Sequence, residues 1–146
     1  MRSKKRIALI LSACMMISGT NVSVFAESTA SFSDDSIDLA YEYTDDAKSL
    51  LRISYNTAKC VSSCTGARNV IQITVEQTLQ KFWGLWVWND VDNASWSTAE
   101  NGSYVSVVNT KRGLPSGTYR LKSVFTLKTS SGKTETITVY SEEILN

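Results

Sequence analysis

The tryptophans of this chain are its most distinctive candidates for ligand binding. All four fall within 14 residues, as Trp83, Trp86, Trp88 and Trp96. In an extended strand Trp86 and Trp88 share one face while Trp83 lies on the other. Unless another element covers one face, part of this cluster must be on the surface, where aromatic rings suit sugar rings or a protein partner. We take the four tryptophans as candidate ligand-binding residues, and burial of two or three of them in the core is a compatible alternative.

Two cysteines, Cys60 and Cys64, are expected to remain in the mature chain. Outside the cell an even pair predicts a disulfide. On a straight strand their Cα atoms would be ~13 Å apart, beyond the ~7 Å limit for a bridge, so the spacing requires a turn. Ser62, Ser63 and Gly66 favour such a turn. We predict a Cys60–Cys64 disulfide, with two free thiols as the alternative; too few ligands are present for a zinc site.

Residues for catalysis are scarce. The chain contains no His, which excludes Ser-His-Asp and Cys-His catalysis and every His-containing metal site. Asp90 and Asp92 could serve as paired carboxylates or calcium ligands, but the composition of residues 89–93 is equally that of a turn. We predict the turn, with no catalytic residue, no metal and no cofactor. A net charge of +1 gives no reason to expect nucleic acid.

The first 26 residues have the pattern of a secretory signal peptide. Basic residues precede an apolar run over 7–17 that is too short to span a bilayer. Small residues stand at the −3 and −1 positions of the bond after Ala26, so we predict cleavage there and secretion. Residues 11–14 also match a lipobox, and acylation of Cys14 would instead anchor the protein to the membrane surface. No other long apolar run occurs, so no membrane span is expected.

An acidic segment follows the signal peptide. Residues 27–46 hold seven acidic residues and no Lys or Arg. The signal peptide takes four of the 15 basic residues and none of the 14 acidic ones, so the mature chain has a net charge of −3. Segment 27–46 is expected to be a solvated leader or a first strand, and an arm covering a basic face is the functional alternative. Residues 47–146 are expected to form one domain.

The dominant hydrophobic period in that domain is two, which indicates β-strands. Alternation occurs over residues 37–43, 51–56, 71–79, 104–108, 119–128 and 136–140. Residues 82–88 are apolar on both faces, as in a central strand, and Gly84 within them indicates a bulge. Turn residues cluster at 65–69, 89–93, 101–102, 113–117 and 130–132. About seven strands predict an all-β, immunoglobulin/fibronectin-like antiparallel β-sandwich, with at most one helical turn over 45–51.

The segment 114–120 is similar to the start of the penultimate strand in immunoglobulin-like and fibronectin-like sandwiches. There a Tyr after a Gly turn packs at a corner and bonds its hydroxyl to upstream backbone. Tyr119 is therefore predicted to be a structural corner residue.

A wider set of motifs resembles a group of small secreted all-β proteins of Gram-positive bacteria. The matching positions are Gln77–Lys81, Trp86, Trp88, Trp96, Gly117–Arg120, Glu135 and Tyr140–Ser141. The resemblance covers about residues 50–144 and implies a signal peptide and one all-β domain. It implies no established activity, so it assigns no functional residues. This sequence differs from the group in its dense aromatic run over 82–88 and in its C-x3-C pair.

These observations predict a secreted, non-catalytic binding module with the tryptophan cluster as its surface. A cell-surface glycan or a protein is the expected class of ligand. A small antimicrobial or toxin-like protein is the alternative, in which the tryptophans would meet a membrane interface. A lipid-anchored surface protein is a second alternative if Cys14 is acylated.

Overall fold

The computed structural model describes residues 41–146, which consist of β-strands and connecting turns without a helix. Eight strands follow in chain order: β1 Thr44–Ser54, β2 Thr57–Gly66, β3 Val70–Gly84, β4 Val87–Asn101, β5 Tyr104–Arg112, β6 Thr118–Thr129, β7 Thr134–Tyr140 and β8 Ile144–Leu145. The predicted signal peptide, Cys14 and most of the acidic segment 27–46 lie outside the described residues. Residues 41–146 contain no helix with the length and hydropathy needed to cross a membrane.

The strands form two antiparallel sheets. Sheet A has the order β1-β2-β5, and sheet B has the order β4-β3-β6-β7, with β8 pairing with the start of β6. The predicted antiparallel β-sandwich is confirmed. Its strand order is fibronectin-like, because the fourth strand pairs with the third strand rather than joining the first sheet.

Alternation along the strands places one face of each sheet in the interior. On β6 every odd-numbered residue from Tyr119 to Thr129 is buried, whereas the even-numbered residues face outward. The buried apolar side chains form two clusters, one around Phe125 and the other around Leu121. Each fully buried large side chain stabilises the fold by about 1.5–3 kcal/mol relative to exposure. The period of two in the sequence therefore corresponds to this division between interior and surface.

A layer of hydrogen-bonded polar side chains lies between the two clusters. We call it the inner polar layer, and it consists of Ser49, Ser62, Gln77, Asn109 and Ser123. Asn109 donates to Gln77 Oε1 at 2.7 Å, and Gln77 Nε2 donates to Ser62 Oγ at 2.6 Å. The Ser62 and Ser123 hydroxyls are 2.7 Å apart, and those of Ser123 and Ser49 are 2.8 Å apart. Since the layer joins strands of both sheets, it holds them in one relative register.

The turn predicted around the two cysteines is wrong, because Thr57–Gly66 is the central strand of sheet A. Serine and threonine favour turns through local hydrogen bonds, but tertiary pairing with β1 and β5 outweighs that preference. Ser62 points inward, where the inner polar layer satisfies its hydroxyl. The helical turn considered for residues 45–51 is also wrong, since they belong to β1.

The turn predicted at residues 89–93 is instead an irregularity inside β4. Gln80 pairs with Asp90, but Thr78 pairs with Ser95, so β4 carries extra residues between these pairs. Asn93 has a φ of 54°, which suits an Asn within a bulge. Residues 89–93, whose composition is typical of a turn, therefore form a bulge that bends the edge strand β4. Such bends hinder edge-to-edge pairing with other chains.

Candidate binding surface

The segment predicted as a central strand, residues 82–88, turns back on itself. β3 ends at Gly84 and β4 begins at Val87, so Leu85 and Trp86 are the two residues of a β-hairpin turn. The prediction is wrong because an apolar run indicates a central strand only if other elements cover both of its faces. In this hairpin both faces meet solvent.

The apolar residues of this turn project from the end of the sandwich. We call residues 83–87 the hairpin tip. It extends beyond the neighbouring strand β6, whose first residue lies opposite Phe82. The exposed fractions are 73% for Trp83, 92% for Leu85 and 91% for Trp86, and the tip contains no charged residue. A convex apolar projection of this kind is typical of an interaction site.

The backbone of the hairpin tip adopts conformations that its residue types disfavour. Leu85 has a φ of 49° and Trp86 a φ of 65°. Positive φ at both central residues is the geometry of a type I′ turn, for which Asn-Gly is the preferred pair. A bulky residue in the left-handed region costs roughly 1–2 kcal/mol. Because neither side chain is buried, no packing within the described residues offsets this cost.

Beside the hairpin tip, five side chains form a chain of contacts across the outer face of sheet B. We call it the outer ladder, and it consists of Gln80, Trp88, Asp90, Arg120 and Tyr140. The Arg120 guanidinium carbon lies 4.2 Å from the Trp88 ring centroid and 4.3 Å from that of Tyr140. Its Nε donates to Gln80 Oε1 at 2.9 Å, and Gln80 Nε2 donates to Asp90 Oδ1 at 2.8 Å. Trp88 was expected at the binding surface, whereas Gln80 and Tyr140 appeared only within the motifs of the resemblance, which assigned them no function.

The guanidinium of Arg120 is held on three sides and open on the fourth. Two rings pack against it, and Gln80 accepts a hydrogen bond at its Nε edge. Within residues 41–146 its two terminal nitrogens have no hydrogen-bond acceptor and it has no carboxylate in an ion pair. Since no buried side-chain nitrogen there lacks a partner, those terminal nitrogens reach solvent. Burial lowers the pKa of Arg120, and nearby Tyr140 and Glu143 partly oppose that shift.

The four tryptophans fall into three environments. Trp83 and Trp86 belong to the hairpin tip, and Trp88 lies at its base, with its ring centroid 5.2 Å from that of Phe82. Trp96 lies apart, partly buried against the second apolar cluster. A depression of about 210 Å³ beside Trp96 is smaller than the ~300–1,000 Å³ typical of small-molecule sites. The structure therefore separates Trp96 from the other three.

The predicted Cys60–Cys64 disulfide is absent, and both thiols are free. The two residues lie four apart on one face of a regular strand, where their separation exceeds the reach of a bridge. Burial raises the pKa of each thiol to about 12, with nearby carboxylates contributing at Cys64. The protonated form therefore dominates at neutral pH, and these buried thiols are core residues of low reactivity.

Tyr119 is fully buried where β6 begins. Its hydroxyl donates to the Pro115 carbonyl at 2.6 Å, and Lys81 Nζ lies 5.7 Å from the ring centroid. The hydrogen bond ties the loop that follows β5 to the corner of the sandwich. Burial raises the pKa of the Tyr119 hydroxyl, which remains a donor. This geometry has the features of a tyrosine corner.

Asp90 and Asp92 have different surroundings. Asp90 accepts the hydrogen bond from Gln80 within the outer ladder, whereas Asp92 is exposed in the irregular part of β4. Among residues 41–146, no three His, Cys, Asp or Glu side chains are grouped in a way that could hold a metal ion.

Comparisons with known proteins add only distant likenesses. No family model matches the chain, and no curated protein matches it. A crystal structure of OgpA from Akkermansia muciniphila is similar to 73% of this chain over 31% of its own length, with 9% identity and a TM-score of 0.36. Spo0M, a sporulation control protein from Bacillus subtilis, is similar to 66% of this chain over 49% of its own length, with 11% identity and a TM-score of 0.30. The chain thus spans about a third and about half of the lengths of these proteins.

Proposed function

We propose that the protein is a secreted, non-catalytic binding module that attaches to a cell-surface glycan or protein through its hairpin tip. The observation that carries this proposal is the exposure of Leu85 and Trp86 at positions with positive φ. Exposed apolar area and left-handed backbone both lower the stability of the free protein. Both features have a physical reason if a partner covers the tip on binding, because buried Trp side chains supply much of the energy of such contacts.

Two further features support this use of the hairpin tip. A two-residue turn between paired strands is short, so little backbone entropy is lost when it binds. The outer ladder begins at the base of the tip and offers a carboxylate and a guanidinium, both held by the Gln80 amide, beside the aromatic rings. Apolar area next to a few oriented polar groups is the usual composition of a specific binding surface.

The test is binding to isolated Gram-positive cell walls. The full chain is expressed in a Gram-positive host, recovered from the medium and sedimented with the walls. We expect Trp86→Ala to reduce the apparent affinity for the walls about tenfold or more, because a central Trp typically contributes 2 kcal/mol or more to binding. Trp83→Ala is expected to have a smaller effect.

Tyr55→Ala is the matched control for these variants. Tyr55 is an aromatic residue in the two-residue turn of another hairpin, with a φ of 50° and an exposed fraction of 99%. We expect its loss to leave wall binding unchanged. Equal loss of binding in both variants would point to general hydrophobic adhesion. Retention of binding by a folded Trp86→Ala variant would contradict the proposed role of the tip.

A membrane-active, toxin-like function is the second candidate. The same convex, uncharged tip favours it, because Trp and Leu side chains insert readily at a membrane interface. Leakage of a trapped dye from phosphatidylcholine vesicles is the discriminating measurement. Leakage by the parent protein that Trp86→Ala abolishes would favour this second function. Absence of leakage would contradict it and retain the proposal of a binding module.

Secretion is tested on the same preparation. N-terminal sequencing is expected to begin at Glu27. A product found in the cell envelope with a lipid-modified Cys14 at its N-terminus would replace secretion by anchoring.

A further inference from the structure

The outer ladder holds one arginine in a fixed orientation. A guanidinium packed against the Trp88 and Tyr140 rings, with ring centroids at 4.2 and 4.3 Å, has little freedom to rotate. The Nε bond to Gln80 further fixes its plane. Because the side chain is ordered before any ligand arrives, a ligand that binds it loses little additional side-chain entropy.

The open edge of this guanidinium defines what it can bind. The two terminal nitrogens reach solvent and have no acceptor among residues 41–146. They present parallel N–H groups in one plane, the arrangement that pairs with two oxygens of a carboxylate or phosphate. Two rings already pack against the guanidinium and Gln80 accepts from its Nε, so the terminal nitrogens are the donors left for a ligand.

We infer that the open edge of Arg120 binds a carboxylate or phosphate group of an acidic cell-surface glycan. This inference rests on the proposed function and names the chemistry of its ligand. The outer ladder crosses all four strands of the sheet B path, which suits an extended polymer, and Phe82 and Tyr140 keep 37% and 45% of their surface exposed on the same outer face. Partly exposed rings next to amide and carboxylate groups can contact the apolar face and the hydroxyls of a sugar ring.

The charges around Arg120 set how strongly the site attracts an anion. Lys122 lies two residues along on the same outward face of β6, opposite Tyr140, and adds positive charge. Glu143 and Asp90 supply negative charge nearby, although neither is in an ion pair with Arg120. The inference therefore predicts that Glu143→Gln strengthens binding of an anionic polymer by about twofold to threefold, since it removes a like charge.

The probes are three polymers measured by titration calorimetry against the full chain recovered from the medium. Polygalacturonate carries carboxylates, its methyl ester has the same backbone without the charge, and a glycerol phosphate teichoic acid carries phosphates. We expect one acidic polymer to bind at least tenfold more tightly than the methyl ester. The tighter of the two acidic polymers identifies which oxyanion the site prefers. Equal binding of the acid and its ester, or no binding of either acidic polymer, would overturn the inference.

Substitutions then assign the binding to Arg120. Arg120→Gln is expected to weaken binding of the acidic polymer about tenfold, and Arg120→Lys about threefold, because lysine keeps the charge but lacks the planar pair of donors. Lys128→Gln is the matched control, since it removes a positive charge from the same face at the far end of β6. Equal weakening by Lys128→Gln and Arg120→Gln would overturn the assignment in favour of diffuse charge attraction.

A measurement on the parent protein tests the role of Arg120 without any substitution, so its result does not depend on whether a variant folds. Phenylglyoxal reacts with accessible guanidinium nitrogens, and mass spectrometry locates the modified arginines. The acidic polymer is expected to protect Arg120 and to leave the exposed Arg112 reactive. Unchanged modification of Arg120 at saturating polymer would overturn the inference without any substitution.

Failure of this inference is distinguishable from failure of the proposed function. If Trp86→Ala loses wall binding while a folded Arg120→Gln retains it, the hairpin tip stands as the binding surface and the oxyanion site fails. If the parent protein does not bind walls but binds the acidic polymer through Arg120, wall attachment fails and the oxyanion site stands.

Discussion

The inner polar layer and the outer ladder are both chains of hydrogen-bonded side chains that cross several strands, but they end differently. In the inner polar layer the donors pass from Asn109 through Gln77 and the serines to the Leu121 carbonyl, which Ser49 Oγ approaches at 3.2 Å. In the outer ladder the chain ends at the terminal nitrogens of Arg120, which have no acceptor among residues 41–146. We call the first network closed because it ends at a buried backbone acceptor, and the second open because it ends at donors that reach solvent.

This difference separates a structural role from a binding role. A closed network between two apolar clusters leaves only the half-buried amide of Asn109 near the surface, and its contribution is to register and stability. An open network at the surface can have its remaining donors hydrated in the free protein and matched by a ligand on binding. The location of hydrogen-bond donors that lack an acceptor therefore indicates a binding site better than the number of polar residues does.

The largest expected effect compares two glutamines on β3. Gln77 faces the inner polar layer and Gln80 the outer ladder, so Gln77→Leu and Gln80→Leu are the same change on opposite faces. Gln77→Leu is expected to lower the free energy of unfolding by about 2–3 kcal/mol, because it leaves the buried Ser62 and the half-buried Asn109 with fewer partners. Although Gln80 is only 8% exposed, Gln80→Leu is expected to cost under about 1 kcal/mol, since its partners Asp90 and Arg120 are exposed and partly exposed and water can replace their bonds to it.

Urea unfolding of the two variants measures this comparison. A similar slope with denaturant and a lower midpoint for Gln77→Leu would show loss of native stability rather than a changed unfolded state. Equal destabilisation by the two substitutions would contradict the distinction between a closed and an open network.

The next effect concerns the hairpin tip, where the proposed binding role opposes stability. Replacing Leu85 by Asn and Trp86 by Gly installs the residue pair that a type I′ turn prefers. We expect the double variant to gain about 1 kcal/mol of stability, because strain is relieved, while it loses wall binding. The same pair placed at Tyr55 and Asn56 is the control and is expected to gain less, since Asn56 already tolerates positive φ. Loss of stability in the tip variant would mean that the tip packs against the fold.

A third comparison, of pH rather than of residues, concerns the stability that comes from the buried thiols. The pKa values of Cys60 and Cys64 rise from an ordinary 9.0 to about 12 on folding. The unfolded chain therefore loses its thiol protons first as pH rises, so the native state binds more protons and stability falls between about pH 9 and about pH 12. We expect the urea midpoint to fall more between about pH 8 and about pH 10.5 in the parent than in a variant with both cysteines changed to alanine. Parallel falls would assign the dependence to other groups.

Strands whose alternation matches a buried face were predictable. The runs over 71–79 and 119–128 lie within β3 and β6, whose inward residues fill the core, and the predicted turn at 130–132 joins β6 to β7. Strand β2 was not predictable, because its small polar residues favour turns locally and become a strand only through pairing on both sides. Trp88 was predictable as a candidate from its residue type, but its contact with Arg120 was not.

The amino-acid sequence alone determines the fold class, because a hydrophobic period of two with turn residues between the runs can bury one face of each strand only in a layered β structure. The tertiary structure alone decides where β3 ends in a turn, because the apolar residues 82–88 do not indicate whether other elements cover their two faces. It also decides which polar groups are matched. Gln77 and Gln80 are identical residues three positions apart, and the alternation of the strand directs one to a closed network and the other to an open one.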